Sequence, residues 1–269
     1  MHHDPLVPDA HPPREIARKV ESLGVAKAKT DGLTLLVLAI LAGAFISLGA
    51  LFFTAAVTES TAGWGVTRLL GGLSFSLGLV LVVVAGAELF TGNNLVAMAW
   101  ASGLVGTRDV LRNWGIVYVG NVIGCLGTAA LAVAGNLAGL GNGAFGRTAL
   151  QIAASKSALP VGEALARGVL CNALVCLAVW LAMGGRSVAD KILAILLPVT
   201  AFVTLGLEHS IANWFFLPYG LVLNEQGAVP LAGVCRNLAV VTAGNILGGT
   251  LLVAGVYWIA YLRGGRRGT

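Results

Sequence analysis

The chain has 269 residues, 57% of them hydrophobic and 11% charged, with a formal net charge of +5 and a mean hydropathy of +0.86. A soluble domain is about one-quarter charged, so this composition excludes one, and several apolar runs reach the roughly 20 residues that cross a bilayer as helix. No basic cluster is interleaved with aromatics, which excludes a nucleic-acid surface.

In chain order, residues 1–32 form an N-terminal region. Its Pro-rich leader carries His2, His3 and His11, to which no role is assigned. Pro12 and Pro13 suit a helix start, after which Ile16, Val20 and Leu23 share one helical face. The expectation is an amphipathic helix along the membrane surface, and the charged stretch lacks the apolar core of a cleavable signal. Residues 33–262 then hold six apolar segments, at about 33–57, 69–103, 113–139, 161–183, 192–218 and 238–262. Residues 263–269 are a short tail.

Charge sets the orientation. The leader, the 104–113 and 184–191 loops and the tail together carry twelve Lys and Arg. The opposite loops, 58–68, 140–160 and 219–237, carry four: Arg68, Arg147, Lys156 and Arg236. The positive-inside rule places both termini in the cytoplasm of a cell (inner) membrane protein. Arg167 falls inside the fourth segment. Cys125, Cys171, Cys176 and Cys235 form neither a CxxC pair nor a Cys/His cluster, so they read as small buried hydrophobes, and no metal or cofactor site is indicated.

Two segments are interrupted by polar residues. "GAELFTGNN" breaks the second at 86–94 and "EHSIAN" breaks the fifth at 208–213. Glu88 with Asn93, and Glu208 with Asn213, repeat Glu-x4-Asn at a displacement of 120 residues. Arg112-Asn113 with "GNVIG" at 120–124 returns as Arg236-Asn237 with "GNILG" at 244–248, displaced by 124. Each half has three spans, so the second copy enters the membrane upside down. Paired helix breaks in an inverted repeat point to a substrate site near the midplane. The glycines of the two Gly-Asn-x-x-Gly motifs read as close-packing faces, and Asn121 and Asn245 as hydrogen-bonding anchors for the broken segments.

A charge at the bilayer centre costs at least about 2.5–3.5 kcal/mol. Glu88 and Glu208 are expected to be structural, accepting from backbone N–H groups freed at each break. His209 has no counterpart in the first break, so the break geometry does not demand it. A neutral imidazole both donates and accepts, and its charge changes near physiological pH. It is therefore the candidate to hydrogen-bond, or exchange a proton with, a small anion, with Thr91 from the facing break as its hydroxyl partner. A satisfied core histidine is the alternative. Lys156 reads as a surface lysine or as a residue drawing anions into an outer vestibule. Arg167 follows Glu163 by four residues, the favourable order for a helical ion pair; lining a basic entry is its alternative. Asn172 has no partner within its own helix.

"AELFTGN", "LCNALVCLAVW", "GRSVADK" followed by "LPVTAFVTLGLEHSIANWFFLP", and "VYWIAYLR" resemble the formate/nitrite transporter family, most closely its formate channels, from about residue 14 to 263. The resemblance implies a homopentamer with one pore per protomer in an aquaporin-like fold. It implies passage of small monovalent anions such as formate, nitrite or hydrosulfide, or of the matching neutral acids. The family's central histidine falls on His209, its loop threonine on Thr91 and its vestibule lysine on Lys156, with Asn172 matching further on. Hydrophobic constrictions fall on Phe75, Leu79 and Phe202 on the outer side, and on Leu89, Phe90 and Val175 on the inner side. Glu88 is nitrite-like, where formate channels often have Asp, and Arg167 matches a basic residue of nitrite-type members.

The expected function is passage of a small monovalent anion, formate first, with proton exchange at His209. Nitrite or hydrosulfide is the alternative substrate. A membrane-embedded enzyme using Glu208 and His209 as acid and base is a third reading, which no nucleophile or metal motif supports.

Overall fold

A computed structural model describes residues 10–224 and 227–264. His2, His3 and most of the 263–269 tail lie outside the described residues. The described chain is helical and contains no strand. Helix α1 (Pro13–Lys29) is followed by α2 (Gly32–Val57), and α3 (Trp64–Val80) continues through a π-helical stretch to Gly86. After a non-helical gap at 87–89, α4 (Phe90–Asn93) and α5 (Ala97–Ala101) are joined by one 3-10 turn. Then come α6 (Thr107–Ala134), α7 (Ala144–Ser157), α8 (Val161–Gly184) and α9 (Val188–Thr204). A second non-helical stretch precedes α10 (Ser210–Val222). Helix α11 (Leu231–Leu247) runs through a π-helical stretch into α12 (Val256–Tyr261).

Five of these runs are long and apolar enough to cross a membrane: Gly32–Val57, Trp64–Gly86, Thr107–Ala134, Val161–Gly184 and Leu231–Tyr261. Beyond its first two turns none of them carries a charged residue, the pattern of a helix with no face reserved for water. Large side chains such as Leu33, Leu131, Leu193 and Leu197 are exposed on the outside, while Leu35, Ile46, Val117, Ile195 and Val199 fill the interior.

Glycine sets how closely the helices pack. A Cβ on Gly124 would sit 2.1 Å from the Ile40 carbonyl oxygen, and one on Gly248 would sit 2.1 Å from that of Val169. Both contacts are backbone against backbone, so neither α2/α6 nor α8/α11 has room for even a methyl group.

Several boundaries differ from the sequence expectation. Residues 140–160 are not simply a loop, since α7 is a 14-residue helix whose Ala149 and Ala153 are buried against α10. The breaks are shorter than the polar motifs that mark them: residues 90–93 and 210–213 are already helical, because the asparagines within them turn inward to partners. Helix α1 buries Ile16 and Val20 against Leu95, Met98 and Trp180 of the chain itself, while Leu23 is exposed. Its apolar face is thus covered by protein rather than left open to lipid. Cys235 is exposed, unlike the three other cysteines, because it projects from the outer side of α11.

Candidate functional site

The chain ends of the two breaks must satisfy backbone groups deep in an apolar interior. One asparagine does this at each. Asn121 Nδ2 donates to the carbonyls of Ala39 (2.7 Å) and Glu88 (2.9 Å), and its Oδ1 accepts from Phe90 N–H (2.9 Å). Asn245 repeats all three bonds, to Gly168 (2.8 Å) and Glu208 (3.0 Å) and from Ser210 N–H (2.8 Å). Each side chain therefore ties the preceding strand-like residue, the following half-helix and a neighbouring helix to one point.

The glutamates are also held alike, though not as expected. Neither carboxylate takes a backbone N–H. Glu88 accepts from Asn93 Nδ2 (2.7 Å) and from Lys27 Nζ, 2.8 Å from each oxygen. Glu208 accepts from Asn213 Nδ2 (2.7 Å), Asn237 Nδ2 (3.3 Å) and Lys156 Nζ (2.9 Å). Asn113 donates to the Lys27 carbonyl (3.0 Å) and Asn237 to the Lys156 carbonyl (2.9 Å). The freed N–H groups are instead taken by Asn121, Asn245 and His209, which leaves each carboxylate for a cation.

Lys27 was not singled out from the sequence. It pairs with Lys156 at a displacement of 129, the same offset that relates Ala39 to Gly168 and Ile40 to Val169. Around Lys27, "VAKAK" shares with "AASKS" only the small residues on either side of the lysine, so the hydrogen bonds are what reveal the match. Asn94 was missed too: its Oδ1 accepts from Asn172 Nδ2 at 2.8 Å, and Asn172 also donates to the Asn245 carbonyl at 2.6 Å. That network gives Asn172 the partners its own helix lacks.

His209 and Thr91 meet where the two copies face each other. Thr91 Oγ1 lies 2.9 Å from His209 Nε2, and both residues are buried. His209 is also the N-cap of α10, where its Nδ1 accepts from Ala212 N–H at 3.0 Å. A backbone N–H needs a lone pair to bond, so in the neutral ring the proton sits on Nε2, facing Thr91. Leu89 occupies the corresponding N-cap position of α4, with no side-chain cap. The Thr91 carbonyl in turn accepts from Cys176 Sγ at 3.4 Å.

Two cavities lie near the pair: the first is lined by His209 itself, the second by Leu89 and Gly92, the residues close to Thr91 in sequence. One, of about 370 Å³, is lined by Lys156, Glu208, His209, Phe75, Phe202, Arg68 and Arg167, among others. The other, of about 410 Å³, is lined by Lys27, Glu88, Leu79, Leu89 and Gly92, among others. Phe75 and Phe202 pack edge to face at 5.7 Å between ring centroids, and Phe202 stacks on the His209 ring at 6.0 Å. Leu79, grouped from the resemblance with Phe75 and Phe202, lines the other cavity, because it stands one helical turn further along α3. Phe90 and Val175 are buried but line neither cavity; the Phe90 ring packs on Tyr118 at 4.9 Å and Trp114 at 6.2 Å. Arg167 Nη2 donates to Glu163 at 2.9 Å, and the same arginine lines the first cavity, so both of its expected positions hold.

The relatives agree with one another. Residues 14–259 match the formate/nitrite transporter family. The formate channel FocA of Escherichia coli K12 is 40% identical, over 93% of this chain and 94% of its own length. The uncharacterized transporter YrhG of Bacillus subtilis is 39% identical over 93% of each chain. A solved structure described as a pentameric formate channel with formate bound is 38% identical and superposes with a TM-score of 0.78, over 86% of this chain and 98% of that one. With its family match covering nearly the whole length, this chain belongs to the formate/nitrite transporter family.

Proposed function

We propose that the chain forms a passage for small monovalent anions, formate foremost, through a cell membrane as one protomer of a homopentamer. The observation that carries this reading is the buried Thr91–His209 hydrogen bond, with one cavity lined by His209 and another lined by Leu89 and Gly92 beside Thr91. The relatives named for formate and the pentameric structure support the substrate and the assembly.

In this reading six spans form two inverted halves of an aquaporin-like fold, α9 and α10 together making the span that the break hides. The hydrogen bonds repeated between the halves support that topology, and the excess of Lys and Arg supports cytoplasmic termini.

The chemistry follows from the lining. An anion approaching through the first cavity meets Lys156, whose charge is already shared with Glu208. It then meets the Phe75 and Phe202 rings, which offer no replacement for its hydration water, so a bare anion crosses this point at high cost. Beyond lie the His209 Nε2–H and the Thr91 hydroxyl. Nε2–H donates to the anion without any change of protonation. For His209 to give up a proton, the ring must first be doubly protonated, which sets Nδ1–H against Ala212 N–H and breaks the helix cap. Proton exchange is thus coupled to loosening the first turn of α10, and a weak acid protonated here crosses as the neutral species and reionises beyond Leu79 and Leu89.

Nitrite is the second reading, favoured by Glu88 and Arg167. Uptake of labelled formate into sealed vesicles, competed by excess nitrite or hydrosulfide, separates the two. An enzyme or receptor gives no flux at all in the same vesicles.

A further inference from the structure

We infer that Arg68 is an anion-recruiting residue: its guanidinium supplies the uncompensated positive charge of the Lys156-side cavity. The inference rests on the transport reading above and names which cation does the recruiting.

Three cations and one acid line that cavity: Arg68, Lys156, Arg167 and Glu208. Lys156 pairs with Glu208 at 2.9 Å, and Arg167 pairs with Glu163 at 2.9 Å. Among the described residues no carboxylate pairs with Arg68. Its Nε donates to the Thr204 carbonyl at 3.2 Å and its Nη2 to the Val203 carbonyl, both at the end of α9. These carbonyls hold the guanidinium in place without cancelling its charge. Phe53 lies under it, with the guanidinium carbon 5.8 Å from the ring centroid. Gly206, at φ +69°, adds no side chain on the other side, and a Cβ there would come within 3.4 Å of Nη2. The charge is therefore fixed, half-buried and open to the cavity, where low-dielectric walls focus its field.

The other mouth has no such group. Among its lining residues the charged pair is Lys27 and Glu88, which neutralise each other at 2.8 Å. The position displaced from Arg68 by 120, the offset between the two glutamates, is Val188. Arg68 thus breaks the symmetry of the repeat, and the anion is concentrated at one mouth.

The test is formate uptake into sealed vesicles at low and high salt, for wild type, Arg68→Gln, Arg68→Lys and Glu163→Gln. One fixed charge in a cavity should change the half-saturating formate concentration by about two- to fivefold, with screening removing the effect at high salt. Arg68→Gln should raise that concentration and flatten its salt dependence, and Arg68→Lys should keep most of both. Glu163→Gln frees Arg167 and should lower the half-saturating concentration while steepening the salt response. This arm tests the premise, that an uncompensated cation in this cavity recruits the anion, even if Arg68→Gln does not assemble, because it leaves the Arg68 anchor to α9 intact; an unchanged salt response in it overturns the inference. Formate flux whose salt dependence is the same in all four proteins overturns the role of Arg68 and leaves the transport reading standing. Wild-type vesicles that pass no formate overturn the transport reading and this inference with it.

Discussion

Lys27 and Lys156 occupy equivalent places in two copies of one network. Each amine holds the glutamate at a helix break, and each main-chain carbonyl takes the amide of an asparagine, Asn113 of α6 and Asn237 of α11. The copies differ in depth, since the Lys156 and Glu208 side chains are 16% and 4% exposed against 32% and 13% for Lys27 and Glu88. Removing one partner of a buried pair leaves an uncompensated charge and costs about 3–5 kcal/mol. Lys156→Met should therefore lower the unfolding midpoint in detergent strongly. Lys27→Met, better screened by solvent, should cost under about 2 kcal/mol. The double variant Lys156→Met with Glu208→Gln should recover most of the loss, because no charge is then left without its counterion.

Asn245 should be more costly to truncate than its size suggests. Asn245→Ala leaves the Glu208 carbonyl and the Ser210 N–H unpaired away from water, each worth about 1–3 kcal/mol, and takes a second bond from the Gly168 carbonyl, which keeps its partner within α8. The protein should lose its assembled form on size-exclusion chromatography, or unfold well below wild type. Asn121→Ala should behave alike, and an unchanged midpoint in either would show that these bonds do not hold the breaks.

Gly248→Ala places a methyl carbon 2.1 Å from the Val169 carbonyl oxygen, so α8 and α11 must separate. Destabilisation by about 1–3 kcal/mol is expected, the usual cost of overpacking. Gly115→Ala, in α6 with nothing within 4 Å, is the control and should be neutral or slightly stabilising.

Thr91→Val keeps shape and volume but removes the hydroxyl 2.9 Å from His209 Nε2. Formate flux in vesicles should fall by at least about tenfold, the loss of one hydrogen bond to a desolvated partner, while Thr91→Ser should retain most of it. Equal flux in the valine and serine variants would remove Thr91 from the pathway.

Much of this was legible in the sequence, for physical reasons. Apolar runs of bilayer length mark the spans, and Glu88 and Glu208 stand out because a charge there is expensive. Asn121 and Asn245 could be named as anchors because their Gly-Asn-x-x-Gly surroundings repeat. Thr91 and His209 could be paired because each lies inside one copy of the repeated Glu-x4-Asn break. Lys27 could not, since it sits in a helix whose charges fit a surface location equally well, and its match to Lys156 lies in bonding rather than in neighbouring residues. Asn94 was hidden beside Asn93 in a motif that appeared to need only one amide. Arg68 was visible only as a loop charge, because its significance depends on which cations already have partners. Leu79 was grouped with Phe75 and Phe202 yet lines the other cavity, a distinction of one helical turn that motif matching does not resolve.

The most direct measurement is formate uptake into sealed vesicles across about pH 5–8, where an imidazole changes charge, comparing wild type with His209→Asn. Asparagine is a good N-cap, so the variant can keep the bond from Ala212 N–H while losing the ring nitrogen that faces Thr91. Wild-type flux should vary with pH, and the variant should carry less formate with that variation lost or displaced. An assembled His209→Asn protein that matches wild type in both rate and pH profile would show that the anion does not pass by this ring.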